Sequence, residues 1–326
     1  MIRALTLATG IALCAHAGAG LAQAEKNFPE RPVRVIVAWA AGGNADVLSR
    51  IMGQKMSDMA GQQFVVENRG GANGTIGTEF VVRARPDGYT LLVDGMQTHA
   101  INAQVMKLPY VSLRDLTPVA QLGSVLHILV AHSSLPIKNT RDLVALAKAR
   151  PTDIAYASFG EWTTTHLAGE FFQQATKTKL LHVTYKGGGP ALTGILAGEV
   201  SLYFPGISIA LPHIHTGKLR ALGIASKVRS PDLPELATLA EQLKAPDYDV
   251  TTSFAIMAPQ GVPAGIVDKL NKMVTAALTA EDVKKRMVGV GAMPPPAMSA
   301  AETLERMQAE AARLGAVIKT VRAGSK

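Results

Sequence analysis

One cysteine, Cys14, stands in 326 residues, and it lies close to the N-terminus. A mature chain cut beyond it has no disulfide, no thiolate metal site and no cysteine nucleophile. Aromatic residues make up only 5% of the chain, and two of them are tryptophan. Beyond the N-terminal segment no apolar run reaches the ~18–20 residues that span a membrane. A P-loop is missing, because Lys186 precedes its glycines instead of following them. So is a G-x-S-x-G elbow, which leaves Ser/His/Asp catalysis without a local marker. Of the histidines, those beyond His16 (His99, His127, His132, His166, His182, His213 and His215) show no metal-binding helix spacing. The His213-x-His215 pair reads as a helix end. The net charge is +8, but its lysines and arginines are scattered, as in Arg83/Arg85, Lys177/Lys179, Lys227/Arg229 and Lys284/Lys285/Arg286. Without aromatic interleaving this is no nucleic-acid surface, and a mildly positive field suits acidic ligands. No cofactor, metal or catalytic residue is expected.

What is present begins with an export address. Arg3 precedes an apolar run from Ala4 to Ala19, and Leu21-Ala22-Gln23-Ala24 closes it with an A-x-A site cut after Ala24. Gly10, Gly18 and Gly20 are poor interior residues for a buried helix. Leu13 occupies the place where a lipobox needs Gly, Ala or Ser, so Cys14 is not read as a lipidation site. The remaining chain is long enough for two domains of ordinary size.

Those domains are expected to be α/β, because strand and helix patterns alternate almost throughout and imply mixed sheets flanked by helices. The organising stretch runs from Val33 to Asp46. A β-branched run ends at Trp39, Ala41, Gly42, Gly43, Asn44 and Asp46 follow, and a helical pattern opens with Val47, Leu48, Ile51, Met52, Met56 and Met59 on one face. Such a strand–glycine–helix turn points unpaired backbone N–H groups outward, where the helix dipole favours an anion. Four loops share this form: Ala40–Asp46, Gly70–Thr78 with Asn73, Gly74 and Thr75, Ser158–Thr165 with Glu161, Trp162, Thr163 and Thr164, and Lys186–Pro190. In open α/β sheets ligands sit at the carboxyl ends of strands, so four such loops predict a cleft of N–H and hydroxyl donors. The strand from Ser201 to Phe204 is broken by Pro205-Gly206. Gly71-Ala72-Asn73-Gly74-Thr75-Ile76-Gly77 misses the dinucleotide fingerprint by its first spacing. Trp39 and Trp162 each sit in a candidate loop, which suggests an aromatic wall.

Taken in order, these stretches resemble the periplasmic solute-binding proteins of the tripartite tricarboxylate transporter family, the Bug-type receptors. The resemblance is carried by Pro32-Val33-Arg34 into Ala41-Gly42-Gly43-Asn44-Ala45-Asp46, by Val65-Val66-Glu67-Asn68-Arg69-Gly70-Gly71-Ala72-Asn73-Gly74-Thr75-Ile76-Gly77, and by Pro86-Asp87-Gly88-Tyr89-Thr90-Leu91-Leu92. Further matches are Thr98-His99-Ala100-Ile101-Asn102, His166-Leu167-Ala168-Gly169-Glu170, Tyr185-Lys186-Gly187, Pro190-Ala191-Leu192-Thr193 and Gly217-Lys218-Leu219-Arg220-Ala221-Leu222. It implies a type II-like two-domain clamp with the ligand cleft between domains. Residues 25–123 plus 229–326 would form domain 1 and residues 124–228 domain 2. The family's ligand loops map onto Ala40–Asp46, Gly70–Thr78, Ser158–His166 and Tyr185–Gly188, with Gly206 beside them. Implied too are a small carboxylate held largely by backbone amides, a separate membrane permease as partner, and a monomer.

This chain departs from the family pattern at the specificity end. Trp39 replaces the usual Phe or Tyr, Ala41 the proline before the glycine pair, Glu161-Trp162 the small Asn-Gly, and Pro205 an aspartate. These departures point away from a simple amino acid or a small C4 dicarboxylate, and toward an aromatic carboxylate stacking on Trp162 or Trp39. Two rivals stay open at the level of sequence. One is a sensor presenting its ligand to a membrane kinase. The other is an exported hydrolase built on Ser158 and His166, with no orienting acid in sight.

Overall fold

The structure, a computed structural model, describes residues 27–324. The export segment ending at Ala24 lies outside the described residues. Two mixed sheets carry the fold. The first contains β1 (Val33–Val37), β2 (Phe64–Asn68), β3 (Thr90–Gly95), β4 (Leu116–Val125), β10 (Thr252–Pro259) and β11 (Ala292–Met293), ordered β11-β4-β10-β3-β1-β2. The second contains β5 (Ile128–His132), β6 (Ala155–Ser158), β7 (Leu181–Thr184), β8 (Leu202–Tyr203) and β9 (Leu219–Ile224), ordered β7-β6-β8-β5-β9.

Period-two alternation explains why β1 needs helices on both of its faces. Val33, Val35 and Val37 enter one core with Leu48, Met52 and Leu270. Ile36 enters another with Val81, Met96 and Met307. The Asn44–Ala60 helix ends at Gly61, whose φ of 65° lets its N–H reach the Ser57 carbonyl.

Topology places the loops. β1 is parallel to both β2 and β3, with Val37 level with Asn68 and Val93. The chain therefore leaves β1 toward β2 on one side and returns to β3 on the other. β6 stands in the same relation to β7 and β8, parallel to both. Each sheet thus has a switch point, and the loops after β1, β2, β3 and after β6, β7, β8 gather at carboxyl ends.

The chain passes between the sheets after Val125 and again before Thr252. His127 joins the two passages: its imidazole nitrogens lie 2.9 Å from the Phe204 carbonyl and 2.8 Å from the Thr252 hydroxyl. The segment before the second passage packs on the second sheet, with Leu239, Tyr248 and Val250 in its core. Thr238 pairs in parallel with Ile224, and the Val250 N–H donates to Ala225.

Several elements are absent from the sequence reading for physical reasons. β4 is buried along nearly its whole length and so shows no alternation. Pro118 and Gly123 interrupt its sequence, and the register shifts against β10 fall beside them. Of the Ile207–His215 helix only the end at His213-x-His215 is legible, because Pro212 stands inside it, and the Met96–Val105 helix has no segregated polar face to mark it. Among the described residues, no helix is long and apolar enough to cross a membrane.

Candidate ligand-binding site

Five helices begin on glycine at the gathered loops, at Gly43, Gly74, Gly95, Gly187 and Gly206, and none has a side-chain cap. A sixth starts at Thr163, also without one. Elsewhere Asn139 and Thr238 cap their helices with side chains. First-turn N–H groups left without a side-chain acceptor are donors for a ligand's oxygens.

The loops meet across the junction of the two sheets. Asn73 Nδ2 donates to the Glu161 carbonyl at 2.9 Å, and Asn102 Nδ2 donates to the Asn73 carbonyl at 2.8 Å. Asn73 sits in the left-handed region at φ 52°, a conformation asparagine tolerates better than most residues. A Cβ built on Gly206 would lie 2.7 Å from Asn44 Nδ2, so the loop after β8 also closes on the first loop. A cavity of about 220 Å³ opens beside that contact, between Gly42, Asn44 and Leu48 and, opposite, Ser208 and Ile209. Removing the cross-junction amide in Asn73→Ala should weaken ligand affinity about fivefold to tenfold, the worth of about 1 kcal/mol for one hydrogen bond. Calorimetric titration of variant and parent measures it.

Each tryptophan is packed against its own protein partners. Trp39 donates its indole N–H to Asp94 Oδ1 at 2.6 Å and meets Phe159 edge-on, ring centroids 6.0 Å apart. Trp162 packs into the second core and lies edge-on to His166. Its backbone is left-handed at φ 57°, and its N–H donates to His166 Nδ1 at 2.9 Å. Both rings are therefore held by protein partners. Phe159, the residue that crosses to Trp39, carries no local signal that could have singled it out.

Ser158 and His166 do not pair. Ser158 is fully buried and bonds the Gly160 carbonyl and, at 2.7 Å, His182 Nε2. His182 stacks between His166, at 4.1 Å, and Tyr156, at 4.9 Å. A backbone N–H can only donate, so Nδ1 of His166 is the acceptor and its proton sits on Nε2, 3.7 Å from Glu170. Burial holds both imidazoles neutral: it pulls His166 down to about 3, helped by its neighbour, and pulls His182 down as well.

Asp46 and Tyr185 serve their own loops. Burial raises the Asp46 carboxyl, but Arg50 and the Gly42 N–H at 2.9 Å outweigh it and hold the group below the usual range. That bond closes the loop after β1. Tyr185 bonds Glu199 at 3.0 Å, while Lys186 and Glu161 are exposed. Thr75 bonds the Ala72 carbonyl, Thr163 bonds the Gly160 carbonyl, and Thr164 is buried 3.4 Å from Thr252. Ala41 and Gly42 are exposed and Gly43 is half-buried, and Gly42 lines the cavity. Sequence reasoning missed Asp94, His99, Asn102 and His182, which lie beneath the loops and not on them.

Four histidines, the buried His99, His127 and His166 and the half-buried His182, have their pKa depressed by loss of solvent. Below about 6.5 the unfolded chain takes protons there that the folded chain refuses, so stability falls with pH toward about 4. Asp94, pushed up by burial, works in the opposite direction over the same interval, and is outnumbered. Urea midpoints at about pH 7 and about pH 5 should show the lower stability at the acid end.

Known proteins share this sequence pattern and fold. The model of the tripartite tricarboxylate transporter family receptor matches residues 48–322. BugT of Bordetella pertussis is 36% identical over 282 residues, 86% of this chain and 86% of that relative. A Rhodopseudomonas palustris protein, MatC, solved with bound malate, is 32% identical with a TM-score of 0.81, over 89% of this chain and 100% of its own. Another, Rpa4515 of R. palustris with adipate, is 32% identical with a TM-score of 0.85, over 90% of this chain and 98% of its own.

Proposed function

The chain belongs to the tripartite tricarboxylate transporter family of receptors, and from that premise we propose that it is a non-catalytic periplasmic receptor for a small organic carboxylate. It closes its two domains on the acid and hands it to a separate membrane permease, acting as a monomer exported by cleavage near Ala24. Domain 1 comprises about residues 25–123 plus 229–326 and domain 2 about 124–228, with the stretch to Val250 strapped onto domain 2's sheet. The carrying observation is the meeting of uncapped, glycine-led helix N-termini from both sheets across the Asn73–Glu161 contact. Backbone donors so arranged hold a carboxylate without an arginine, and closure lowers the dielectric around the contacts. The acids in the two R. palustris structures, adipate and malate, support an acidic ligand. Packing of Trp39 against Phe159 and of Trp162 against His166 favours a slim aliphatic acid over an aromatic one.

A thermal-shift panel of aliphatic and aromatic carboxylates tests the reading. Ligand at about 100 times its Kd stabilises by about 2.7 kcal/mol, a shift that is readily seen. The expected result is a rise with an aliphatic dicarboxylate longer than four carbons, such as adipate. A rise with benzoate alone restores the aromatic ligand, and no rise with any acid sinks the receptor reading.

A further inference from the structure

Beneath the loops after β1, β2 and β3 lies a buried acid–base pair that the ligand contacts do not require. Asp94 and His99 are fully enclosed, with Asp94 Oδ2 and His99 Nε2 3.4 Å apart. Neither atom has another well-aligned hydrogen-bond partner, and the Thr78 and Thr98 hydroxyls are the other donors that face the Asp94 carboxyl. Asp94's other oxygen accepts the Trp39 indole N–H at 2.6 Å and the Gly95 N–H at 2.7 Å. His99 Nδ1 lies 3.1 Å from the Ser112 hydroxyl. On the ligand side, Asp94 Oδ2 sits 3.2 Å from where a Cβ on Gly74 would be, and Gly74 is the N-cap of the Thr75–Val82 helix.

Two orphaned atoms, one a carboxyl oxygen and one an imidazole nitrogen, are both satisfied by a single proton between them. An ionised Asp94 in this place would put a buried negative charge directly under the donors for the ligand's carboxylate. We propose that Asp94 and His99 hold one shared proton, which keeps the floor of the anion subsite neutral while Asp94 fixes Trp39 as a positioning residue. This rests on the carboxylate reading above. Ligand capture is consequently linked to proton uptake.

The surroundings support one proton and no more. Burial pushes Asp94 up to about 7 and His99 down to about 4, so between those values the proton resides on Asp94. Facing the pair from the Thr75–Val82 helix are the neutral Thr78 and, further out, Glu79, which is tied to Arg83. Tyr110, before β4, is pushed up to about 12 and stays neutral. β10 sets Ala255 opposite Asp94. The C-terminal helix brings Glu310 against Gln97, and Arg313 neutralises it. An arriving carboxylate raises the affinity of Asp94 for its proton, so binding weakens as pH rises through about 7.

Trp39 supplies the readout, because its indole N–H is one of only two in the chain. Its resonance, assigned by its loss in Trp39→Phe, should titrate with a midpoint near 7. Asp94→Asn should abolish that transition, and His99→Phe, which removes the proton's acceptor, should lower its midpoint. Saturating adipate should raise the midpoint, and the Kd for adipate should increase by up to about tenfold per pH unit above about 7. A resonance flat across the range, or one that titrates unchanged in both variants, overturns the proposal. Adipate binding with an unmoved midpoint also overturns it while leaving the receptor reading intact. An Asp94-dependent transition in a protein that no carboxylate stabilises does the reverse: the shared proton stands and the carboxylate reading fails.

Discussion

Gly77→Ala is expected to lower stability by about 1–3 kcal/mol and to abolish most ligand affinity. A Cβ there would meet the Arg69 carbonyl oxygen at 2.7 Å and the Ala38 Cα at 2.9 Å. Both are backbone atoms of the elements that frame the anion loops, so no side-chain rotation relieves the overlap. The Thr75–Val82 helix must move away from β1, and the N–H groups at Gly74 and Thr75 move with it. A displacement of several tenths of an ångström spoils several donors to one carboxylate together. Urea denaturation measures the stability loss as a lower midpoint with unchanged slope, and calorimetry measures the affinity. Gly315→Ala is the control, since a Cβ at that position meets only the flexible Gln104 side chain, at 3.4 Å. Near-normal affinity in Gly77→Ala would show that the donors do not come from this loop.

Tyr156→Ala is expected to cost about 3–5 kcal/mol, in the range of other buried aromatic truncations, and to lower the thermal midpoint by about 10 °C. The side chain is fully buried, stacks on His182, meets Phe204 edge-on and bonds Glu170 at 3.0 Å. Gly169 exists to receive it: a Cβ there would come within 2.2 Å of the ring. The stack Tyr156–His182–His166 holds the Trp162 N–H and the Ser158 hydroxyl, and so the loop that closes on Asn73. Tyr156→Phe keeps the stack and loses only the hydroxyl, so a loss of about 1 kcal/mol is expected. If the two variants lose the same amount, the ring is not the support.

Local patterns made much of this legible. β-branched runs ending in glycine named β1 and β2 and the donor loops after them, because backbone freedom and missing Cβ atoms are properties of single residues. The Asn44–Ala60 and Thr164–Thr176 helices follow from apolar residues at helical spacing. β4 stayed hidden because a strand buried on both faces shows no alternation to read.

The sequence by itself determined that this chain folds as α/β, that glycine-led helix starts follow its strands, and that its family is that of the tripartite tricarboxylate transporter receptors. Only the tertiary structure decided which loops face each other. Asn73 and Glu161 are 88 positions apart, and Trp39 and Asp94 are 55 apart. The exchange of Ser158's partner from His166 to His182, the pairing of Trp39 with Phe159, and the enclosure of Asp94 beside His99 have different origins. The first comes from β6 lying beside β7 and the last from the turn out of β3, while Trp39 and Phe159 meet only because the two sheets bring their carboxyl ends together.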